Sequence, residues 1–531
     1  MRLAGTIGLC VVSLIVACGG SGDSTTGSTS PSGGSAGAIA AGSGGKSAGA
    51  GGTSAGSGGT SAGNGGTAGA GGAAPTCGDL TTNGTETDVD CGGDACKPCA
   101  DGKLCQKFSD CVGAICNGGT CESAPTCNDG KQNGAETDVD CGGPVCGAVC
   151  VDGQICKLPT DCASTVCAAG ICKKRPLMLS LGTPQNLQSS SLTAPWFADI
   201  GDVDNDGEPD VLVADNDGNR VTVLKNSGGT LSVGGSTAVC QNPFHVLARR
   251  MNADANADFV VACSGGNAQV YFGAGTGSFA TPVTFTHPSV WANIVDELGG
   301  AAANDIVTLS NTTGQNEFIR FGTGMGTFAP PLFGALAQAP AHGIAVDLTN
   351  DGTKDIVVTG NQTDANGTQI YVSRSNGNTT FSAMPTLTVA AGPRSVASAD
   401  FNGDGNQDIV VASSTADTVT VFFGNGDGTF GAGTAFAGGD GARWVTTPDL
   451  DDDGWPDLAV ISINDDRLRI FLNDGSGKFT ALPSMPLGGA QEPRAIAAGD
   501  LNGDGLPDLV IPYSTSATFA GGVLVYLNQS K

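Results

Sequence analysis

The residues with the most chemistry to offer recur as one acidic loop. Asp202-Val203-Asp204-Asn205-Asp206-Gly207-Glu208-Pro209-Asp210 returns at Asp400 to Asp408, at Asp449 to Asp457 and at Asp500 to Asp508, and again at Asp347 to Asp355 with Thr349 in third place. Oxygens at the first, third, fifth and ninth places of a tight loop can converge on one hard cation, a backbone carbonyl at the seventh adds another, and the glycine permits the turn. The ligands so read are Asp202, Asp204, Asp206 and Asp210; Asp347, Thr349, Asp351 and Asp355; Asp400, Asn402, Asp404 and Asp408; Asp449, Asp451, Asp453 and Asp457; and Asp500, Asn502, Asp504 and Asp508. The ion expected is Ca2+, one per loop and so about five in all, in a structural role. A helix-flanked calcium loop would need an acid at its twelfth place, where Val213 stands inside an apolar run. Two further copies, Arg250 to Asp258 and Asp296 to Asp305, are eroded: Arg250 takes a first-ligand place, and Ala301 to Ala303 leave the other without ligands.

A second set precedes the loops. Counting back five residues from the first loop position gives Phe197, His245, Trp291, His342, Ser395, Trp444 and Ala495; six back gives Trp196, Phe244, Val290, Ala341, Arg394, Arg443 and Arg494. Aromatic rings beside Arg and His suit a sugar or an acidic ligand, through stacking and bidentate hydrogen bonds. The ligand-binding candidates are therefore His245, Trp291, His342, Arg394, Arg443, Trp444 and Arg494, expected at a channel mouth on the face opposite the acidic loops. The competing reading is packing of strand ends. No complete catalytic constellation is visible. Gly52-Thr53-Ser54-Ala55-Gly56 matches a nucleophile elbow by letter, but no strand precedes it and no helix follows.

The elements that must position these residues are strands. The closing aspartates Asp210, Asp258, Asp305, Asp355, Asp408, Asp457 and Asp508 fall about 50 residues apart, a period that suggests propeller blades. Each is followed by an apolar stretch such as Ile409-Val410-Val411-Ala412, apolar on both faces, which requires a covering layer on each side. Neighbouring blades are those layers. The strand before each loop is rich in Ala, Ser and Gly, as in Ser395 to Ala399, which suits a crowded inner strand beside a central channel. The last repeat stops after its third strand, and Pro176 to Leu192 can supply the missing outer one, closing the ring and removing a free edge. Cys240 precedes the inner strand of the second blade and Cys263 ends its second strand, so a Cys240–Cys263 disulfide is expected.

These loops and strands resemble the FG-GAP or VCBS repeat family, the integrin-α-like propellers. That resemblance covers about 350 residues and implies a seven-bladed β-propeller with calcium in DxDxDG loops.

The rest of the chain differs in kind. Residues 1–18 read as a secretory signal: Met1-Arg2 is followed by the apolar run Leu3 to Ala17, too short to span a membrane, and the run ends in Ile15-Val16-Ala17-Cys18-Gly19, which resembles the lipobox of bacterial lipoproteins. The resemblance implies export, cleavage before Cys18 and lipid on its thiol, hence anchoring to the bacterial outer membrane or cell surface. Residues 19–74 are Gly, Ser, Ala and Thr with nothing to bury, a disordered tether with a mean span of roughly 40 Å. Residues 75–124 and 125–175 are a tandem duplication carrying eight cysteines each. Domains so small need cross-links, and four disulfides per module follow, with the pairing open among 105 arrangements. Zinc is the weaker alternative, since neither module has a histidine. Glu86, Asp88 and Asp90, with Glu136, Asp138 and Asp140, read as a calcium site or as solvated turns. These modules resemble cysteine-rich repeats of bacterial surface proteins.

The expected architecture is all-β: a signal, a linker, two disulfide-rich modules and, over residues 176–531, a seven-bladed propeller. A net charge of −27 disfavours nucleic acid as a partner. The leading functional reading is a surface adhesion or recognition protein, with a carbohydrate or protein ligand and a membrane anchor, and not an enzyme. The alternatives are a carbohydrate-active enzyme such as a polysaccharide lyase, and a passive structural module.

Overall fold

A computed structural model describes residues 77–531 except 83–85, 113–114, 123–129, 131, 133–135, 144–145, 147, 169, 288, 300–302, 311–316, 335–339, 361–366, 489–491 and 516–519; Cys18, the 19–74 segment and Cys127 lie outside these.

The acidic glycine loops turn the chain, and the apolar runs after them become strands buried on both faces. Asp210–Asp215, Asp258–Cys263, Asp305–Ser310 and Asp408–Ser413 are buried at every residue. Each is the second strand of a four-stranded antiparallel sheet. Blade 1 runs Pro195–Gly201, Asp210–Asp215, Arg220–Ser227 and Thr230–Ala238 from inside outwards. Blades 2 to 6 repeat that order, with inner strands Pro243–Arg249, Val290–Asp296, His342–Val346, Pro393–Ala399 and Ala442–Thr446. Blade 7 takes Ala497–Gly499, Asp508–Thr515 and Ala520–Tyr526 from the end of the chain and Gln185–Leu187 from before blade 1. Val523 pairs with Leu187 and Val525 with Gln185, so the ring closes non-covalently on its own N-terminal strand.

The core lies between blades. Blades 6 and 7 share Leu450, Ile461, Leu468, Leu509, Ile511 and Leu524; blades 7 and 1 share Leu501, Val510, Val523, Val211 and Val213; a separate cluster fills each remaining interface. Burying each such side chain contributes on the order of 1.5–3 kcal/mol, so a blade is stable only against its neighbours. Cys240 and Cys263 are joined by a disulfide across the first two strands of blade 2.

The cysteine modules are held by Cys77–Cys96, Cys91–Cys99, Cys105–Cys116 and Cys111–Cys121, and by Cys141–Cys150, Cys156–Cys167 and Cys162–Cys172. The close approach of Cys105, Cys111 and Cys116 is therefore disulfide packing and not a thiolate cluster for zinc. The module acids staple turns. Asp88 Oδ2 accepts the Leu104 N–H at 2.7 Å, Asp138 Oδ2 the Ile155 N–H at 2.7 Å, and Asp90 the Leu80 N–H. Asp110 and Asp161, buried in short 3-10 turns, each accept three backbone N–H groups.

Acidic loops and channel mouth

At one end of every inner strand lies the acidic loop. The closing aspartate is fully buried in each blade: Asp210, Asp258, Asp305, Asp355, Asp408, Asp457 and Asp508 are 0–1 % exposed. Its Oδ2 accepts the N–H of the residue seven places before it, and its Oδ1 accepts an N–H where the third strand ends. In blade 5 these donors are Phe401 at 2.9 Å and Gly424 at 2.8 Å. The same pair of bonds occurs in all seven blades. Blades 2 and 3 share it although their loops lack the full set of acids, so the closing aspartate is first a clamp between strands. Burial raises these carboxyls, Asp305 and Asp408 to about 6 and Asp457 to about 8.

The other loop positions keep oxygens turned towards a common point, although in blade 1 Lys225 Nζ reaches Asp204 Oδ2 at 2.6 Å. In blade 1 the carboxylate oxygens of Asp202, Asp204 and Asp206 lie within 4.8 Å of one another, and Asp449, Asp451 and Asp453 do the same in blade 6. Asp202 Oδ1, Asp204 Oδ1, Asp451 Oδ1 and Thr349 Oγ1 are buried without a hydrogen-bond partner, a costly state that a bound cation would relieve. Burial and then neighbouring acids push Asp451 up to about 7, and burial leads the rise of Asp453 to about 6. Meanwhile the first aspartate shapes the loop: Asp449 accepts the Asp453 and Gly454 N–H groups, and Asp202 accepts that of Gly207. Gly207, Gly352, Gly405, Gly454 and Gly505 all have φ between 83° and 90°, which only glycine adopts freely. In blades 5 and 7, Asn402 and Asn502 turn Oδ1 to the N–H of Asp404 and Asp504 at 2.9 Å. These donor sets fit a hard cation such as Ca2+, best in blades 1 and 6.

At the opposite end of the inner strands, two residue layers encircle the channel. Phe197, His245, Ala292, His342, Ser395 and Trp444 pair with the fourth residue after the closing aspartate of their blades. This layer plugs the channel: Phe197 is 4.0 Å from His245, and His342 is 4.5 Å from Trp444, between ring centroids. His245 and His342 are 3 % and 8 % exposed, and burial drives His245 well below the usual imidazole range and His342 to about 4. They are therefore neutral packing groups, not rim residues.

The outer layer consists of bulged residues. Between Pro195 and Phe197, Pro243 and His245, Val290 and Ala292, Pro393 and Ser395, and Ala442 and Trp444 the register slips by one. The unpaired residues are Trp196, Phe244, Trp291, Arg394 and Arg443, all half-buried; a bulge of this kind re-aims a side chain. Trp291 thus belongs with Trp196 and Phe244, one layer above Trp444, because the loop of blade 3 is one residue longer and counting from its start misplaces it. Phe244 stands 4.4 Å from both Trp196 and Trp291. Arg494 lies over Trp196 at 4.4 Å and Arg443 at 5.5 Å. Burial first, then Arg494 and Arg394, lower Arg443 to about 9. Among the described residues, Glu492 is the one carboxylate paired with this trio, on Arg494. Trp196 and Phe244 complete an aromatic arc that the sequence-derived ligand set left out.

Residues 347–411, 400–460 and 449–511 each match the FG-GAP-like repeat family. No curated protein matches the chain. Among solved structures, an Agrocybe aegerita lectin described by its recognition of non-reducing terminal N-acetylglucosamine is 21 % identical with a TM-score of 0.39, covering 55 % of this chain and 80 % of that one. The BBS1N chain solved in complex with ARL6DN is 12 % identical with a TM-score of 0.45, covering 67 % and 99 %. Neither likeness carries an argument about function.

Proposed function

We propose that this chain, an FG-GAP-repeat propeller, is a calcium-loaded binding protein of a bacterial surface. Its ligand, a carbohydrate or another molecule bearing an acidic group, is held on the ring of bulged residues at the channel mouth. One observation carries the reading: three aromatic residues on adjacent blades stand together at one opening with Arg443 and Arg494 over Trp196, and of these arginines Arg494 alone is paired with a carboxylate among the described residues. On a chain of net charge −27, a local excess of guanidinium groups needs an anion, and half-exposed indole rings offer faces to a sugar. The calcium part rests on the orphaned oxygens of Asp202, Asp204, Thr349 and Asp451. A lyase reading would draw its catalytic group from a histidine or arginine at the rim, and His245 and His342 are buried beneath it.

A glycan array containing uronic-acid and neutral sugars tests the ligand. The wild type should bind acidic glycans; Trp196→Ala with Trp291→Ala, and separately Arg443→Met, should lose them while melting normally. Unchanged binding in folded variants would remove the rim from the account. Export and anchoring through Cys18 predict fatty-acid labelling that Cys18→Ser abolishes.

A further inference from the structure

The repeats provide their own control for one residue. On the third strand of six blades, the residue facing the fourth position after the closing aspartate is aliphatic: Val221, Ala268, Ile370, Val419, Leu468 and Val523, each 0 % exposed. Blade 3 has Glu317 there, 2 % exposed. The outer-strand partner changes with it. Where other blades place Thr237, Phe285, Leu387, Phe436, Met485 or Leu187, blade 3 has Gly334. A Cβ on residue 334 would stand 2.0 Å from Glu317 Oε2, so the glycine makes the room that the carboxyl occupies.

That exchange is expensive for folding. Glu317 Oε1 is buried without a hydrogen-bond partner among the described residues, and burial raises the carboxyl to about 7. Local choices that break a fold's own rule concentrate at functional or strained sites. Glu317 lines a groove of about 500 Å3 between blades 3 and 4, together with Phe333, Tyr371, Phe381 and Met384. Phe333 is 57 % exposed, an unusual state for a phenyl ring beside a core. A buried carboxylate needs a cationic donor, aromatic walls attract a cation over their faces, and the chain's net charge of −27 enriches cations nearby.

We propose that this groove binds a small organic ammonium ion, its charge on Glu317 and its apolar body against Phe333, Phe381 and Met384. Calorimetry with benzylamine, and with benzyl alcohol as its uncharged counterpart, tests this. Benzylamine should bind saturably and benzyl alcohol at least about tenfold more weakly. Glu317→Gln should erase that preference. Glu317→Leu restores the residue type of the other blades; it should lose benzylamine and, without ligand, melt a few degrees higher. Trp196→Ala at the channel mouth should leave benzylamine binding unchanged. Equal binding of amine and alcohol, unaltered amine binding by Glu317→Gln or Glu317→Leu, or a lower melting temperature for Glu317→Leu would overturn the proposal.

Discussion

Leu177 donates its backbone N–H to the carbonyl oxygen of Asp451 at 2.7 Å, tying the segment after the second cysteine module to the acidic loop of blade 6. Two side chains reinforce the tie. Lys174 Nζ reaches both oxygens of Asp452 at 2.7 and 2.9 Å, and Lys173 lies 4.0 Å over the Trp455 ring. The junction and the candidate cation loop thus share Asp451, Asp452 and Trp455, so a cation bound there would also order the junction.

Trypsin reads that coupling directly. Cleavage after Lys173 and Lys174 requires the junction to open, so calcium should slow it by about tenfold relative to chelator. Arg175 is followed by Pro176 and should resist in both conditions. Mass spectrometry of timed digests gives the sites, and equal rates with and without calcium would separate the junction from the metal.

The closing aspartate of blade 2 isolates the clamp from the metal, because Arg250 occupies the first loop place there. Asp258 accepts the Met251 N–H at 2.7 Å and the Gly273 N–H at 2.8 Å. Asp258→Ala leaves two buried donors unpaired and should lower stability by about 4 kcal/mol in urea unfolding. The loss should be the same in calcium and in chelator. A loss seen only with calcium would make Asp258 part of a metal site.

His342 gives the propeller an acid sensitivity of known sign. Its folded value of about 4 lies below the ordinary 6.5, so between these the unfolded chain binds more protons. Stability from this residue is therefore complete above pH 6.5 and falls as pH drops towards 4, by about 2 kcal/mol at pH 5. His342→Gln should flatten that part of the stability profile. A variant whose melting temperature falls as steeply as the wild type between pH 7 and 5 would assign the effect elsewhere.

Much of this was legible because some spacings cannot drift. The clamp fixes the distance from inner strand to closing aspartate, so Asp210, Asp258 and their equivalents marked every blade, and the apolar runs after them marked strands covered on both sides. The channel layer was legible too, in six blades from the loop start and in blade 3 only when counted from the clamp. Thirteen residues before Asp305 stands Ala292, whereas counting from the loop start lands on Trp291, since blade 3 has one extra loop residue. The bulge that lifts Trp196, Phe244 and Trp291 above the plug is a register event without a residue signature. Glu317 was hidden for a related reason: the turn between second and third strands varies in length, placing its equivalents between ten residues after Asp258 (Ala268) and fifteen after Asp355 (Ile370), so no fixed offset aligns them.

If the acidic loops hold metal, removing it must loosen each blade that carries one. Purified propeller, saturated with calcium and desalted, should carry about five calcium ions by elemental analysis, and a chelator should lower its melting temperature by about 10 °C or more. Asp451→Asn should remove about one ion. Protein that carries no calcium and melts at the same temperature in chelator would contradict calcium in these loops.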